Sequence, residues 1–228
     1  MDPIRGTGRA FPSAFTPPSA TATPGALFPP GIGHDAVPKV FRFIRRDDAK
    51  QILIYAGGAC LDEDGQADAP AAWSFVFQPI LHGRLGALSD TLEKQGPYGD
   101  EAPTRDRATL RAVVGALRSH AWDDEGFTTV VLAVDSDYVA EGATVGVRRW
   151  LRDGWQTSTG KAVENKDMWE MILGIIEELD RRGVDVQFWR IPPELNATAT
   201  RTAKATAAAA AAKEKSPTKN DNTSGELA

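Results

Sequence analysis

The spacing of apolar and polar residues predicts a compact group of strands in the first half of the chain. Residues 51–55 form an almost wholly apolar run that ends at two glycines, which is typical of a buried strand followed by a turn. Residues 72–77 alternate between apolar and polar positions, as expected of a strand returning antiparallel to the first. A weaker run at residues 85–88 predicts a third strand.

The second half of the chain alternates between helical and strand patterns. Residues 107–120 carry an apolar stripe at helical spacing, and residues 128–134 form a β-branched run that predicts a central strand. Residues 166–182 again repeat at helical spacing, residues 184–189 alternate as a last strand, and a C-terminal helix follows. The order of elements predicts an α/β fold with a mixed sheet flanked by helices.

The two ends of the chain differ in composition from the middle. Residues 1–38 contain eight of the 15 prolines, mixed with Ala, Thr, Ser and Gly, and show no apolar period. They are predicted to form a disordered Pro/Ala-rich leader. Residues 39–206 are long enough for one domain with its own core, and residues 207–228 are predicted to be a low-complexity polar tail into which the last helix continues.

Composition excludes several classes of protein. The single cysteine, Cys60, rules out an internal disulfide framework and a multi-thiolate zinc site. No stretch approaches the ~20 apolar residues of a membrane-spanning helix, so no membrane partner is expected. The formal charge of −5 argues against a generally basic nucleic-acid-binding protein, so that any such contact would be local. The default compartment is the cytoplasm or the nucleus.

Several segments resemble, in order and spacing, the motifs of type 1 ribonuclease H domains, including fungal-type members of that family. Ala56-Gly57-Gly58 stands where the family has Thr-Asp-Gly at its first strand. The other matching segments are residues 106–112, 134–139, 150–155, 165–169 and 196–200. The resemblance implies a ribonuclease H-like fold, with a mixed five-stranded sheet of three antiparallel strands followed by parallel strands and with helices on its faces.

The resemblance also implies an active site, and this sequence departs from it. Family members use four carboxylates to hold two Mg²⁺ ions that hydrolyse the RNA strand of an RNA/DNA hybrid. At those positions this chain has Gly57, Thr109, Asp135 and Thr200, so that Asp135 is the sole catalytic and metal-ligating candidate. One carboxylate does not balance two divalent cations. We therefore expect no cofactor, with Mg²⁺ bound only if activity is retained.

Other acidic residues offer an alternative in which the metal site is rebuilt. Asp106 precedes Thr109 by one helical turn, Asp137 follows Asp135, and Asp62, Glu63 and Asp64 lie after the first strand. Turn carboxylates are usually solvated, and Asp135 itself has an alternative role as a helix cap. Asp106 also stands where the family has an Asn that contacts the hybrid, which should repel phosphates.

One segment favours nucleic-acid binding. Arg148, Arg149, Trp150, Arg152 and Trp155 interleave guanidinium groups with indole rings, a combination that binds phosphates and stacks on bases. The resemblance places this segment in the handle region, with which the family grips the DNA strand. The alternative is that the two tryptophans pack the handle onto the domain and that the arginines are simply a solvated surface.

Three functional interpretations follow. The leading one is a catalytically inactive ribonuclease H-like domain that keeps weak binding to nucleic acid, such as an RNA/DNA hybrid, or to a protein partner. The second is an active hybrid-specific endoribonuclease with a rebuilt, Mg²⁺-dependent site. The third is a domain that binds only proteins.

Overall fold

The computed structural model describes residues 5–61, 69–94 and 102–215 as an α/β fold with one mixed sheet. The strands are β1 (Ser13–Ala14), β2 (Pro30–Gly33), β3 (Val40–Arg45), β4 (Asp48–Cys60), β5 (Ala71–Leu81), β6 (Arg84–Thr91), β7 (Thr129–Val134) and β8 (Asp185–Arg190). The helices are α1 (Pro24–Leu27), α2 (Arg105–Arg118), α3 (Asp137–Glu141), α4 (Val147–Arg152), α5 (Lys166–Arg181) and α6 (Ala197–Lys215). No helix in these ranges is long and apolar enough to cross a membrane.

The long strand β4 organises the sheet. Its first half pairs parallel with β7, as in the register Ile52 with Val130, and its second half pairs antiparallel with β5. β6 extends the antiparallel side, and β8 extends the parallel side. The five strands β4 to β8, in the spatial order β6-β5-β4-β7-β8, confirm the predicted mixed sheet.

Burial on both faces explains why β7 is apolar throughout. Val130 and Leu132 belong to the core on one side of the sheet, whereas Val131 and Ala133 belong to a second cluster on the other side. α2 and α5 pack on the first face and direct their apolar stripes toward it. α6 packs on β4, β5 and β6.

The N-terminal segment is not the disordered leader that its composition predicted. Residues 5–28, here called the strap, pass along α5 and around the edge of β8, where β1 pairs parallel with that strand. Phe15 and Phe28 are buried against Trp189, with ring centroids 4.7 and 6.3 Å from the indole. Two widely spaced aromatic residues thus anchor the strap. Because they are so far apart, they do not form a regular apolar pattern from which the sequence could have predicted an ordered segment.

The sheet consequently has eight strands and not five. β2 and β3 form an antiparallel pair, and β3 continues onto the first half of β4, where Phe43 pairs with Leu53. The domain therefore begins before residue 39. At the other end, Ala199, Ala203 and Ala207 are buried at helical spacing in α6, so the beginning of the predicted tail belongs to a packed helix. Residues 216–228 lie outside the described ranges.

Candidate functional site

The four positions at which the resemblance implies carboxylates lie near one another at the carboxyl ends of β4 and β7, in a region here called the pocket. A Cβ atom built on Gly57 would lie 3.1 Å from the backbone nitrogen of Thr200 at the start of α6. One built on Gly58 would lie only 2.4 Å from the nitrogen of Thr109 in α2, so that α2 can approach β4 only because residue 58 is glycine. Asp135 follows the end of β7.

Asp135 is buried and fully engaged. Its side chain is 1% exposed, and Oδ2 accepts a hydrogen bond from Nη2 of Arg105 at 2.5 Å. Oδ1 accepts from Nδ2 of Asn196 at 3.0 Å, and the same amide donates to the carbonyl of Ala56 at 2.9 Å. The negative charge of Asp135 is therefore balanced by a guanidinium group that belongs to the protein.

The remaining three positions supply no anionic ligand. The hydroxyl of Thr109 donates to the carbonyl of Arg105 at 2.9 Å, within its own helix. The hydroxyl oxygen of Thr200 is buried and has no hydrogen-bond partner among the described residues. It also lies 3.1 Å from the position of a Cβ on Gly57, so α6 occupies the space beside that glycine. Backbone atoms of α6 and the side chain of Thr200 thus line the space beside Gly57.

The acidic residues considered for a rebuilt site have other partners. Oδ1 of Asp106 accepts from the hydroxyl of Ser136 at 2.7 Å. Asp137 pairs with Arg190, and this hydrogen bond and ion pair hold the pKa of Asp137 below its usual value. Asp62, Glu63 and Asp64 lie outside the described residues. Within the described ranges, no group of three or more His, Cys, Asp or Glu side chains could hold a metal ion.

The interpretation of Asp135 as a helix cap is wrong. The N-cap of α3 is Ser136, whose hydroxyl accepts from the backbone N–H of Val139 at 3.1 Å. Asp135 precedes the cap and points into the pocket toward Arg105 and Asn196. Neither of these two partners was selected from the sequence as a site residue. The resemblance covered Asn196, and Arg105 directly precedes the motif that begins at Asp106.

The handle is one helical segment, because a π-helical turn (Gly142–Gly146) joins α3 to α4. Trp150 and Trp155 are each only 8% exposed. The ring of Trp150 lies 5.5 Å from that of Trp169, and side chains at Gly142 or Gly146 would collide with these indoles. The two tryptophans of the predicted nucleic-acid-binding segment are thus buried, and their rings are not presented for stacking on bases.

The three arginines of the same segment remain on the surface. Arg149 is exposed and makes no ion pair with any residue in the described ranges. Arg152 forms an exposed pair with Asp153 at 3.1 Å. Arg148 is exposed, and its guanidinium carbon lies 4.3 Å from the ring centroid of Phe11 in the strap. The structure therefore leaves a basic surface on the handle without its predicted aromatic component.

A buried polar junction holds the handle to the domain. Arg107 is 0% exposed and donates to both carboxylate oxygens of Asp167, at 2.9 and 2.6 Å, and to Asn165 at 3.1 Å. Asn165 and the indole N–H of Trp169 donate to the hydroxyl of Tyr138 at 3.4 and 3.0 Å. Burial raises the pKa of Tyr138, so the phenol stays neutral and can also donate. The junction fixes α2, α3 and α5 relative to one another.

Comparison with known proteins identifies the class to which this fold and pocket belong. The model of the RNase H family matches residues 49–189, which is more than half of the chain. The chain therefore belongs to the ribonuclease H family.

Two relatives show the extent of the similarity. The chain is 32% identical to a ribonuclease H of an Acidovorax species over 132 residues, which cover 58% of this chain and 77% of the relative. It is 31% identical to the ribonuclease H of Treponema pallidum over 132 residues, which cover 56% of this chain and 74% of the relative.

Two solved structures share the fold. LC9-RNase H1, a type 1 RNase H with the type 2 active-site motif, matches with a TM-score of 0.52 at 23% identity and covers 70% of this chain and 73% of its own. The foamy viral protease-reverse transcriptase in complex with RNA/DNA hybrid matches with a TM-score of 0.51 at 15% identity, over 86% of this chain and 22% of its own.

Proposed function

We propose that this chain is a ribonuclease H-type domain that does not hydrolyse RNA/DNA hybrids and that binds nucleic acid weakly through the arginines of its handle. The observation that carries the proposal is the contact of Asp135 with Arg105. In this contact the positive charge of Arg105 neutralises Asp135. A metal-dependent site would instead need several carboxylates free to hold metal cations.

The donor set does not fit a pair of Mg²⁺ ions. Mg²⁺ prefers an octahedral shell of oxygen atoms that includes carboxylates, whereas this pocket offers one carboxylate, already paired, and two threonine hydroxyls. Arginine remains protonated at all accessible pH values. A cation ~5 Å from its guanidinium is repelled by about 3 kcal/mol per unit charge at an effective dielectric constant of ~20.

The binding half of the proposal depends on the exposed side of the handle. Arg148, Arg149 and Arg152 are all exposed on one short helix, which suits contact with successive phosphates more than recognition of bases. Because the foamy viral neighbour was solved with an RNA/DNA hybrid, the hybrid is the first polyanion to test. Asp106, which stands beside the pocket, adds a negative charge there and keeps the expected binding weak.

The decisive experiment incubates the full chain with a labelled RNA/DNA hybrid in Mg²⁺ or Mn²⁺, beside the Treponema pallidum ribonuclease H as a positive control. We expect the hybrid to remain intact. Cleavage by this chain that disappears in Asp135→Asn would refute the loss of activity and support the alternative of an active hybrid-specific endoribonuclease. Cleavage that persists in Asp135→Asn would indicate a contaminating nuclease.

A second measurement tests the pocket before any substrate is chosen. Calorimetric titration with Mg²⁺ should give no binding heat for the wild-type chain, while the control enzyme should give a measurable one. Retention of the same hybrid in a gel-shift assay at low salt tests binding separately. If the hybrid is neither cleaved nor bound, the third interpretation, a domain that binds only proteins, is favoured.

A further inference from the structure

The strap lies beside the handle and carries two exposed arginines of its own. We propose that Arg5 and Arg9 of the strap join the handle arginines in one surface that binds the phosphate backbone of a nucleic acid. This inference rests on the nucleic-acid-binding part of the proposed function. It adds a contribution from a segment that the sequence predicted to be disordered.

The strap follows α5 because its backbone hydrogen-bonds to that helix. The N–H of Gly6 donates to the carbonyl of Glu170 at 2.8 Å. Two turns further along α5, the N–H groups of Thr7, Gly8 and Arg9 converge on Oε1 of Glu177 at 2.7, 2.7 and 3.0 Å. The strap therefore has a defined position along α5.

Glycine is required where the strap enters the groove between α4 and α5. A Cβ on Gly6 would lie 2.3 Å from the Cβ of Leu173 in α5. A Cβ on Gly8 would lie 2.2 Å from the side chain of Leu151 in α4, and Gly8 also has a φ of +81°, which favours glycine. Close packing against both helices thus keeps the strap next to the handle.

The carboxylate of Glu177 fastens the strap. Glu177 is 8% exposed. Burial acts to raise its pKa, but the three backbone N–H groups and the hydroxyl of Thr7 outweigh burial and hold the pKa below its ordinary value. Glu177 is therefore charged at neutral pH, and converging N–H donors of this kind bind an anion strongly.

The strap brings its arginines close to the handle, and both remain exposed. Phe11 contacts Arg148, so the two segments meet at the start of α4. The side chain of Arg5 is 70% exposed and lies 3.7 Å from Glu170. Arg9 is exposed, and its guanidinium donates to the backbone carbonyl of Glu177 at 2.9 Å. Arg9 makes no ion pair with a described carboxylate, so its charge is available to a ligand.

The charges where the strap meets the handle favour an anionic ligand. Glu170 is shared between Arg5 and Lys166, at 3.7 and 3.6 Å, and Asp153 is paired with Arg152. The carboxylate of Glu177 is buried and used by the strap. On the surface formed by the strap and the handle, positively charged side chains therefore outnumber carboxylates, although the formal charge of the chain is −5. Guanidinium groups suit phosphate oxygens, and a row of them suits a nucleic-acid backbone.

The test measures binding of a labelled RNA/DNA hybrid to the full chain by fluorescence anisotropy over a series of salt concentrations. Arg5→Ala/Arg9→Ala should weaken binding about tenfold or more at low salt and reduce the slope of log affinity against log salt by about one for each arginine. The matched control is Arg84→Ala/Arg118→Ala, which removes two exposed arginines elsewhere. An equal effect of both double variants, or no effect of the first, would overturn the inference.

A second pair of variants separates position from net charge. Glu177→Gln makes the chain less negative, so a purely electrostatic account predicts tighter binding. We expect weaker binding than in Asp180→Asn, which makes the same charge change at an exposed position of α5, because the uncharged amide holds the strap less strongly. Equal binding of these two variants would contradict the proposal.

Failure of this inference is distinguishable from failure of the proposed function. If the wild type binds the hybrid and the strap variants bind it equally tightly, the strap surface alone is overturned. Hybrid cleavage abolished by Asp135→Asn overturns the loss of activity alone. Absence of wild-type binding at low salt overturns both the strap surface and the nucleic-acid part of the proposed function.

Discussion

Arg105 and Arg107 lie two positions apart in the first turn of α2, and each pairs with an aspartate, yet the two regions they serve differ. Arg107 is completely buried in the junction beneath the handle, where Asp167 and Asn165 receive its hydrogen bonds. The side chain of Arg105 is 48% exposed and reaches into the pocket to the buried carboxylate of Asp135. In the junction the arginine is buried, and in the pocket the aspartate is.

The difference separates a contact that joins helices from a contact that surrounds a single carboxylate. The junction matches the motif positions of the family and joins three helices, so it contributes to the architecture. The pocket has one carboxylate at the four positions considered, and an arginine and an asparagine hydrogen-bond it. The sheet and its helices therefore form around a site with one carboxylate at these four positions, as the proposed function requires.

The largest expected effect comes from breaking the junction. Arg107→Ala removes a buried guanidinium and leaves Asp167 and Asn165 without their main partner, which should cost about 3 kcal/mol of unfolding free energy. Urea unfolding followed by circular dichroism measures this loss. Asp167→Asn, at a position one-third exposed, is the milder control. A loss below ~1 kcal/mol for Arg107→Ala would mean that the junction is not structural.

The pocket should respond less, because Arg105 is half exposed and water can replace part of its contact. Arg105→Ala should cost about 2 kcal/mol, since among the described residues the carboxylate of Asp135 then keeps only Asn196 as a partner. Adding Asp135→Asn should restore part of this loss, because the uncompensated charge is then removed. A double-mutant cycle with no coupling between the two positions would show that the ion pair does not stabilise the pocket.

The sequence predicted the elements whose patterns are local. Apolar runs and helical spacing located β4, β5, β7, α2 and α5, because each buries a regular face. The poverty of the pocket in carboxylates was also predictable, since it depends only on which residue types occupy the motif positions, such as Gly57 and Thr200.

What the sequence did not predict depends on contacts between distant residues. Arg105 and Asp135 are 30 positions apart, and Thr7 and Glu177 are 170 apart. No local pattern indicates such partners. The strap was missed because single aromatic residues such as Phe15 and Phe28, separated by proline-rich sequence, anchor it to the sheet. The same limit applies to Trp150, whose burial depends on packing against Trp169.

Glu177 offers a third case, a buried carboxylate held by backbone N–H groups and not by an arginine. Glu177→Gln should cost about 1 kcal/mol at pH 7, because the amide oxygen accepts the backbone hydrogen bonds without the charge and the amide NH2 cannot accept from Thr7 as Oε2 does. The pKa of Glu177 in the folded chain is below its ordinary value of 4.5. Its stabilising effect is therefore present above that value and is lost as the pH falls through the lower, folded-state pKa.

Unfolding curves of the wild type and of Glu177→Gln at several pH values check this sign. The two stabilities should differ at pH 7 and converge as the pH falls below 4.5. A difference that stays constant down to the most acidic conditions in which the chain remains folded would mean that Glu177 acts through its shape and not through its charge.

The smallest effect on stability is expected on the exposed side of the handle, where the comparison between structure and chemistry is sharpest. Arg152 and Asp153 form a pair whose side chains are 75% and 42% exposed, and exposed pairs of this kind contribute little to stability. Arg152→Ala should therefore change the unfolding free energy by less than ~0.5 kcal/mol. The same variant should weaken hybrid binding and reduce the slope of log affinity against log salt by about one. Asp153→Ala is the matched control, since it breaks the same pair but should strengthen binding. If both variants weakened binding equally, the pair itself would matter for the shape of the handle, and Arg152 would belong with Arg107 among the residues that hold the fold.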